Sequence, residues 1–227
     1  MSPQNAKSDK NTLDQGKLNN AYAFWAPIYD FVFGAVFAAG RKTSIEAAEK
    51  IGGRILDVGI GTGISLDRFS RKNSIVGVDI SEPMLRKAQR RVKEAGLTNV
   101  ECLSVMDATK LGFPDASFDV VIAQFVITAV PDPDATLDEF LRVTKPGGEI
   151  ILANHLGAES GPRYVFEQCF APVARYLGWR PEFQFSRIAN WAAKNSNVKL
   201  LERRAIQPLG HFSMIRYHKA AEARSAA

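Results

Sequence analysis

Between residues 51 and 155 the chain alternates short apolar runs with amphipathic stretches. Arg54 to Val58, Ile75 to Asp79, Val100 to Val105, Val120 to Ala123 and Glu149 to Ala153 are four to six residues long and rich in Val, Ile and Leu. That length and composition suit strands buried on both faces. A helical pattern starts at Ile64, a second runs from Glu82 to Ala95, and a third from Asp134 to Val143. Ser81 is the candidate cap for the second. Strand and helix in alternation predict a parallel sheet covered by helices. Lys145-Pro146-Gly147-Gly148 reads as the turn into the last of these strands.

Outside this region the pattern changes. From Asn20 to Lys50, Trp25, Ile28, Val32 and Val36 recur at helical spacing, Arg41 to Ile51 continues the period, and Gly52-Gly53 ends it. Residues 160–195 read as helical and aromatic-rich. Val198 to Ala205 and His211 to His218 are two further strands, expected to pair as a C-terminal antiparallel hairpin. The small, polar residues 1–18 and 220–227 are expected to be flexible ends. With no internal repeat and no low-complexity linker, residues 1–227 are expected to form a single domain.

Composition narrows the class. Of 227 residues, 46% are apolar and 23% charged, as in soluble globular proteins. Cys102 and Cys169 lack metal-ligand spacing, and no signal peptide opens the sequence, which favours a reducing cytoplasm and no metal. The longest apolar stretch, Ala21 to Ala39, is interrupted by Pro27, Asp30 and Gly34, so it is expected to lie on a bilayer or to cover a site rather than to span. The net charge of +5 is uneven: residues 151–227 carry 11 Lys/Arg against 5 Asp/Glu, whereas residues 51–150 carry 12 against 14. A basic surplus fits an anionic partner or an ordinary solvated face.

The chemistry centres on Leu56-Asp57-Val58-Gly59-Ile60-Gly61-Thr62-Gly63, a glycine-rich turn directly after the first strand. Glycines there permit positive φ and let a ligand approach the backbone. Asp79 ends the second strand, where a carboxylate can accept hydrogen bonds from two ribose hydroxyls. Position 64 is Ile, so the spacing departs from the dinucleotide fingerprint and argues against a nicotinamide cofactor.

From about Ile55 to Ala153 the chain resembles the class I S-adenosylmethionine-dependent methyltransferases. The resemblance rests on the glycine turn, Asp79, Met106-Asp107-Ala108, Phe118-Asp119-Val120-Val121 and Lys145-Pro146-Gly147-Gly148, all in family order. It implies a Rossmann-like α/β fold with a mostly parallel sheet, and S-adenosylmethionine as cofactor. It further implies a cofactor site formed by Asp57, Gly59, Gly61, Gly63, Asp79, Ile80, Met106, Asp107, Ala108 and Gln124.

Shorter motifs resemble the bacterial phosphatidylethanolamine N-methyltransferases. They are Tyr22-x-x-Trp25-Ala26-Pro27-x-Tyr29-Asp30-x-x-Phe33-Gly34, Val130-Pro131-Asp132-Pro133, Asn154-His155, Gly178-Trp179-Arg180-Pro181 and Pro208-Leu209-Gly210-His211-Phe212. This second resemblance implies a phospholipid substrate, methylated stepwise toward phosphatidylcholine, with the protein peripheral on the inner face of the cell membrane and in contact with its anionic surface. Residues 19–50 would then be a lid or a membrane-contact segment. Tyr22, Tyr29 and His155 are candidates to orient the acceptor amine, and Arg180 and His211 to bind the lipid phosphate. A small-molecule or quinone methyltransferase fits the same cofactor motifs. An RNA methyltransferase and a non-catalytic S-adenosylmethionine sensor are further alternatives, although no RNA-binding signature is present and no nucleic-acid partner is expected.

Overall fold

The computed structural model describes residues 37–157, 161, 183–206 and 212–221. The N-terminal pattern up to residue 36, most of the stretch 160–195 and the chain ends lie outside these residues, as do Tyr22, Tyr29, Arg180 and His211.

The described elements are α1 (Ala38–Ile51), β1 (Arg54–Val58), β2 (Ser74–Asp79), α2 (Glu82–Glu94), β3 (Val100–Val105), β4 (Phe118–Gln124), α3 (Pro133–Val143), β5 (Thr144–His155), α4 (Phe185–Lys194), β6 (Val198–Ile206) and β7 (Phe212–Lys219). They build one seven-stranded sheet in the order β3-β2-β1-β4-β5-β7-β6. The first five strands are parallel, and β7 inserts antiparallel between β5 and β6. The expected C-terminal hairpin is present, paired from Val198↔Lys219 to Ile206↔Phe212 with a register shift between Leu200 and Glu202.

Successive residues of the central strands face opposite sides of the sheet, and each side has its own core. Leu56, Val58, Val121 and Leu152 pack with Leu137 and Phe140 of α3 and with Ile188 and Trp191 of α4. Ile55, Ile122 and Ile151 pack with Ile45 and Ala48 of α1 and with Leu85 of α2. Apolar residues on both sides explain why these strands read as continuous apolar runs.

Three local expectations need correction. The helix expected from Ile64 is only a 3-10 turn, Leu66–Arg68, with the Leu66 and Arg68 amides bonding back to Gly63 and Ser65. Phe69 then turns extended and enters the core, so the helix stops before a second turn. Lys145-Pro146-Gly147-Gly148 is not a separate turn but an irregularity inside β5, where pairing with β4 jumps from Phe118↔Thr144 to Val120↔Glu149. Lys145 anchors it by donating to both carboxylate oxygens of Asp119 at 2.9 Å. Ser81 does occupy the cap position of α2, but its hydroxyl makes no capping bond.

Candidate functional site

Parallel strands end together, so the turns that follow them converge at the C-terminal edge of the sheet. After β1 the backbone takes positive φ at Gly59 (69°), Gly61 (57°) and Gly63 (73°). The Gly59 and Ile60 amides donate to the Val78 carbonyl, tying the glycine turn to the end of β2. One oxygen of Asp79 accepts from the Gly61 amide at 2.7 Å and the other from the Ser81 amide at 2.8 Å. Asp79 therefore ties together the glycine turn and the turn into α2.

A pocket opens above these turns. Of the ten residues expected around the cofactor, Gly59, Gly61, Asp79, Ile80, Met106, Asp107, Ala108 and Gln124 line it. Asp57 and Gly63 are not part of the lining. Asp57 is buried in β1, and Gly63 packs where an added Cβ would lie 2.9 Å from both Ala88 and Leu66 side chains. The pocket also includes Met84 and the segment after β4, from Phe125 and Val126 to Ala129, Val130 and Pro131. Sequence reasoning missed these as lining residues. The signal available was their position, since ligands gather at the carboxyl ends of parallel strands and Phe125 directly follows β4.

The pocket's far wall is held from below. Asp107 accepts from the Thr109 amide and hydroxyl at 2.8 Å, forming a tight local turn. Arg142 of α3 donates to the Leu111 and Phe113 carbonyls and to both carboxylate oxygens of Glu139, whose Oε2 also accepts from the Leu111 amide. These pairs hold the Arg142 guanidinium above its ordinary range and Glu139 below its own.

Gln124 belongs to a buried polar chain. Its Oε1 accepts from the Ser65 hydroxyl at 2.7 Å and its Nε2 donates to the Ser44 hydroxyl at 2.9 Å. His155, the last residue of β5, is buried with its ring 5.8 Å from that of Phe212 in a T-shaped contact. It lies at the expected edge of the sheet but does not line the pocket.

Asp57 is 1% exposed, and among the described residues its Oδ2 has no hydrogen-bond partner. Burial, reinforced by the Asp79 charge and opposed by Arg41, pushes its carboxyl up to about 8. Burial also raises Asp79, against the amides of Ser81, Gly61 and Ile80. A carboxyl raised on folding binds its proton more tightly in the native state. Its contribution to stability is therefore complete below the unfolded-state value near 4 and is lost as pH rises through about 8. Asp57→Asn removes this titration. Relative to that variant the parent should lose up to about 1.4 kcal/mol per pH unit between pH 5 and 7, measured by urea denaturation. A pH-independent difference would contradict the protonated state of Asp57.

Comparison with known proteins places the chain in a family. The Methyltransferase domain family matches residues 56–152, which run from β1 to β5. The chain is 36% identical over 207 residues to the phosphatidylethanolamine N-methyltransferase of Cereibacter sphaeroides, covering 91% of this chain and all of that one. It is 28% identical over 201 residues to the ubiquinone/menaquinone biosynthesis C-methyltransferase UbiE of Pseudomonas putida, covering 83% of this chain and 77% of that one. Among solved structures, a SAM-dependent methyltransferase from Aquifex aeolicus superposes with a TM-score of 0.61 at 20% identity, covering 80% of this chain and 89% of that one. With the glycine turn, Asp79 and the pocket in their places at the sheet edge, the chain belongs to the class I S-adenosylmethionine-dependent methyltransferases.

Proposed function

We propose that this protein transfers methyl groups from S-adenosylmethionine to the amine of phosphatidylethanolamine and of its mono- and dimethyl forms. The observation that carries the reading is the 36% identity to a phosphatidylethanolamine N-methyltransferase over that protein's whole length. The Tyr22 to Gly34 pattern and the other short motifs outside the cofactor region support the same acceptor.

Bound in the pocket, S-adenosylmethionine supplies an electrophilic methyl group on a sulfonium. The residues present fit it. Asp79 retains acceptor capacity for ribose hydroxyls beyond the two amides it already binds. Gly61 has no heavy atom within 4 Å of where its Cβ would stand, so the backbone there leaves room for a ligand. Ile80, Met84, Met106 and Ala108 offer apolar surface for adenine beside the polar Asp107, and Gln124 adds a second polar lining group. Asp57 and Gly63 support the turn from behind.

Transfer to nitrogen needs an uncharged amine whose lone pair is in line with the breaking bond. Tyr22, Tyr29 and His155 are assigned to orient that amine and pass on its proton, and Arg180 and His211 to hold the lipid phosphate. The substrate resides in a bilayer, so the protein works at an anionic membrane surface, peripheral on the inner face of the cell membrane. Among the described residues no helix is long and apolar enough to cross a membrane.

The relatedness to quinone C-methyltransferases motivates one competing reading. Transfer to carbon would require removal of a C–H proton, whereas an amine brings its own lone pair. The two are separated by presenting phosphatidylethanolamine vesicles and a demethylated quinone in detergent side by side. Methyl incorporation is expected in the lipid. Incorporation only in the quinone would overturn the proposal.

A further inference from the structure

Phe125 is one of two non-glycine residues with positive φ among the described residues, at 64°. An aromatic side chain in the left-handed region is strained, and such strain persists only where surrounding structure holds it. The Phe125 amide bonds the Ala153 carbonyl and its ring meets Phe212, and the rest of the hold comes from one face of α1 and the residue just before it. Phe37, Gly40, Arg41 and Ser44 follow the i, i+3, i+4, i+7 spacing of a single helical face. All four act on the last residue of β4 or the one after it. The Phe37 ring packs on Phe125 at 4.4 Å between centroids. Gly40 leaves the space that the Phe125 ring fills, because a Cβ there would stand 2.8 Å from Phe125 Cζ. Arg41 lies 5.9 Å from the centre of the same ring. The Ser44 hydroxyl takes the Gln124 amide nitrogen at 2.9 Å and donates back into its own helix, to the Gly40 carbonyl at 2.8 Å.

Across the site, the Ser65 hydroxyl completes the hold on Gln124 from the segment just past the glycine turn. Because the Ser44 hydroxyl proton goes to the Gly40 carbonyl, Ser44 accepts from Gln124, which turns the amide nitrogen toward α1 and its oxygen toward Ser65. Both Gln124 and Phe125 line the pocket next to Gly59. We propose that Gly40 and Ser44 are positioning residues for methyl transfer, setting through Phe125 and Gln124 the wall that faces the transferred methyl. A shift of this face of α1 therefore moves both Gln124 and Phe125. In-line displacement is sensitive to such shifts, and about 1 Å can cost on the order of a hundredfold in rate.

This inference rests on the cofactor occupying the pocket as proposed above, and not on the identity of the acceptor. The test compares parent, Gly40→Ala, Ser44→Ala, Phe125→Leu and the double variant Gly40→Ala/Phe125→Leu, each loaded with methyl-13C S-adenosylmethionine. The 13C resonance of the bound methyl reports its surroundings without requiring turnover. Gly40→Ala and Ser44→Ala should each move it while leaving cofactor affinity unchanged. In the Phe125→Leu background the added methyl of Ala at position 40 meets no ring, so it should cause no further shift. Single-turnover transfer to phosphatidylethanolamine vesicles should fall about tenfold or more in both single α1 variants. An unmoved resonance in Gly40→Ala and Ser44→Ala, or fully additive shifts in the double variant, would overturn the proposal. Should Gly40→Ala fail to fold, Ser44→Ala decides alone by the same resonance. A parent that binds cofactor but leaves phosphatidylethanolamine unmethylated would refute the acceptor, while the resonances still decide the positioning role.

Discussion

Asp79→Ala is expected to weaken S-adenosylmethionine binding by about a hundredfold or more. Each hydrogen bond from a ribose hydroxyl to a carboxylate contributes roughly 1.5–3 kcal/mol, and about 1.4 kcal/mol is a factor of ten. The substitution removes more than a ligand contact, because the Gly61 and Ser81 amides also lose their acceptor. The glycine turn is then no longer fastened to the end of β2 through that side chain. Asp79→Asn keeps the shape and one acceptor oxygen, so its loss should be smaller. Titration calorimetry measures both. Parent-like affinity in a folded Asp79→Ala protein would remove Asp79 from the cofactor site.

The second large effect separates two glycines that look equivalent in sequence. Gly59→Ala is expected to be a folding defect and Gly61→Val a binding defect. Both residues have positive φ, which costs a substituted residue roughly 1–2 kcal/mol. At Gly59 a Cβ would also run into the Val126 side chain, an overlap expected to cost about 1–3 kcal/mol more. Domains of this kind are stable by only about 5–15 kcal/mol, so Gly59→Ala should lower the denaturation midpoint markedly. At Gly61 nothing stands within 4 Å of the added carbon. The fold should tolerate valine there with no clash at the added Cβ, at the larger positive-φ cost of a β-branched residue, while the side chain projects into pocket space and excludes the cofactor. Chemical denaturation and calorimetry on the two variants should give opposite profiles. If Gly61→Val is the less stable of the two and still binds cofactor, the glycine assignments are reversed.

Residue patterning carried much of this architecture. β1, β2, β4 and β5 were legible because their apolar runs are buried in the sheet and Gly52-Gly53 marks the start of β1, whereas the edge strand β3 has no buried residue and leaves Glu101, Cys102 and Val105 exposed. Eight of the ten expected cofactor residues meet in one pocket because each lies at or just beyond a strand end, a location fixed by topology. What stayed hidden depends on contacts between distant segments. Ser65 and Ser44 are 59 and 80 residues from Gln124 in sequence, and their hydrogen bonds to it have no local signature. The bulge in β5 could not be told from a turn, because a proline and two glycines suit either and only the Asp119 pairing decides. Asp57 reads as a ligand-binding acid in the motif, yet folding buries it away from the pocket lining and leaves it protonated well above the usual carboxylate range.

The measurement that bears most directly on the account is the fate of the methyl group itself. The full-length protein would be incubated with methyl-13C S-adenosylmethionine and phosphatidylethanolamine vesicles, and the extracted lipid examined by NMR. The account predicts that the label appears on the headgroup nitrogen, first as the monomethyl and then as the dimethyl and trimethyl forms. Bound cofactor with no label on nitrogen, under conditions in which label reaches a quinone carbon, would contradict it.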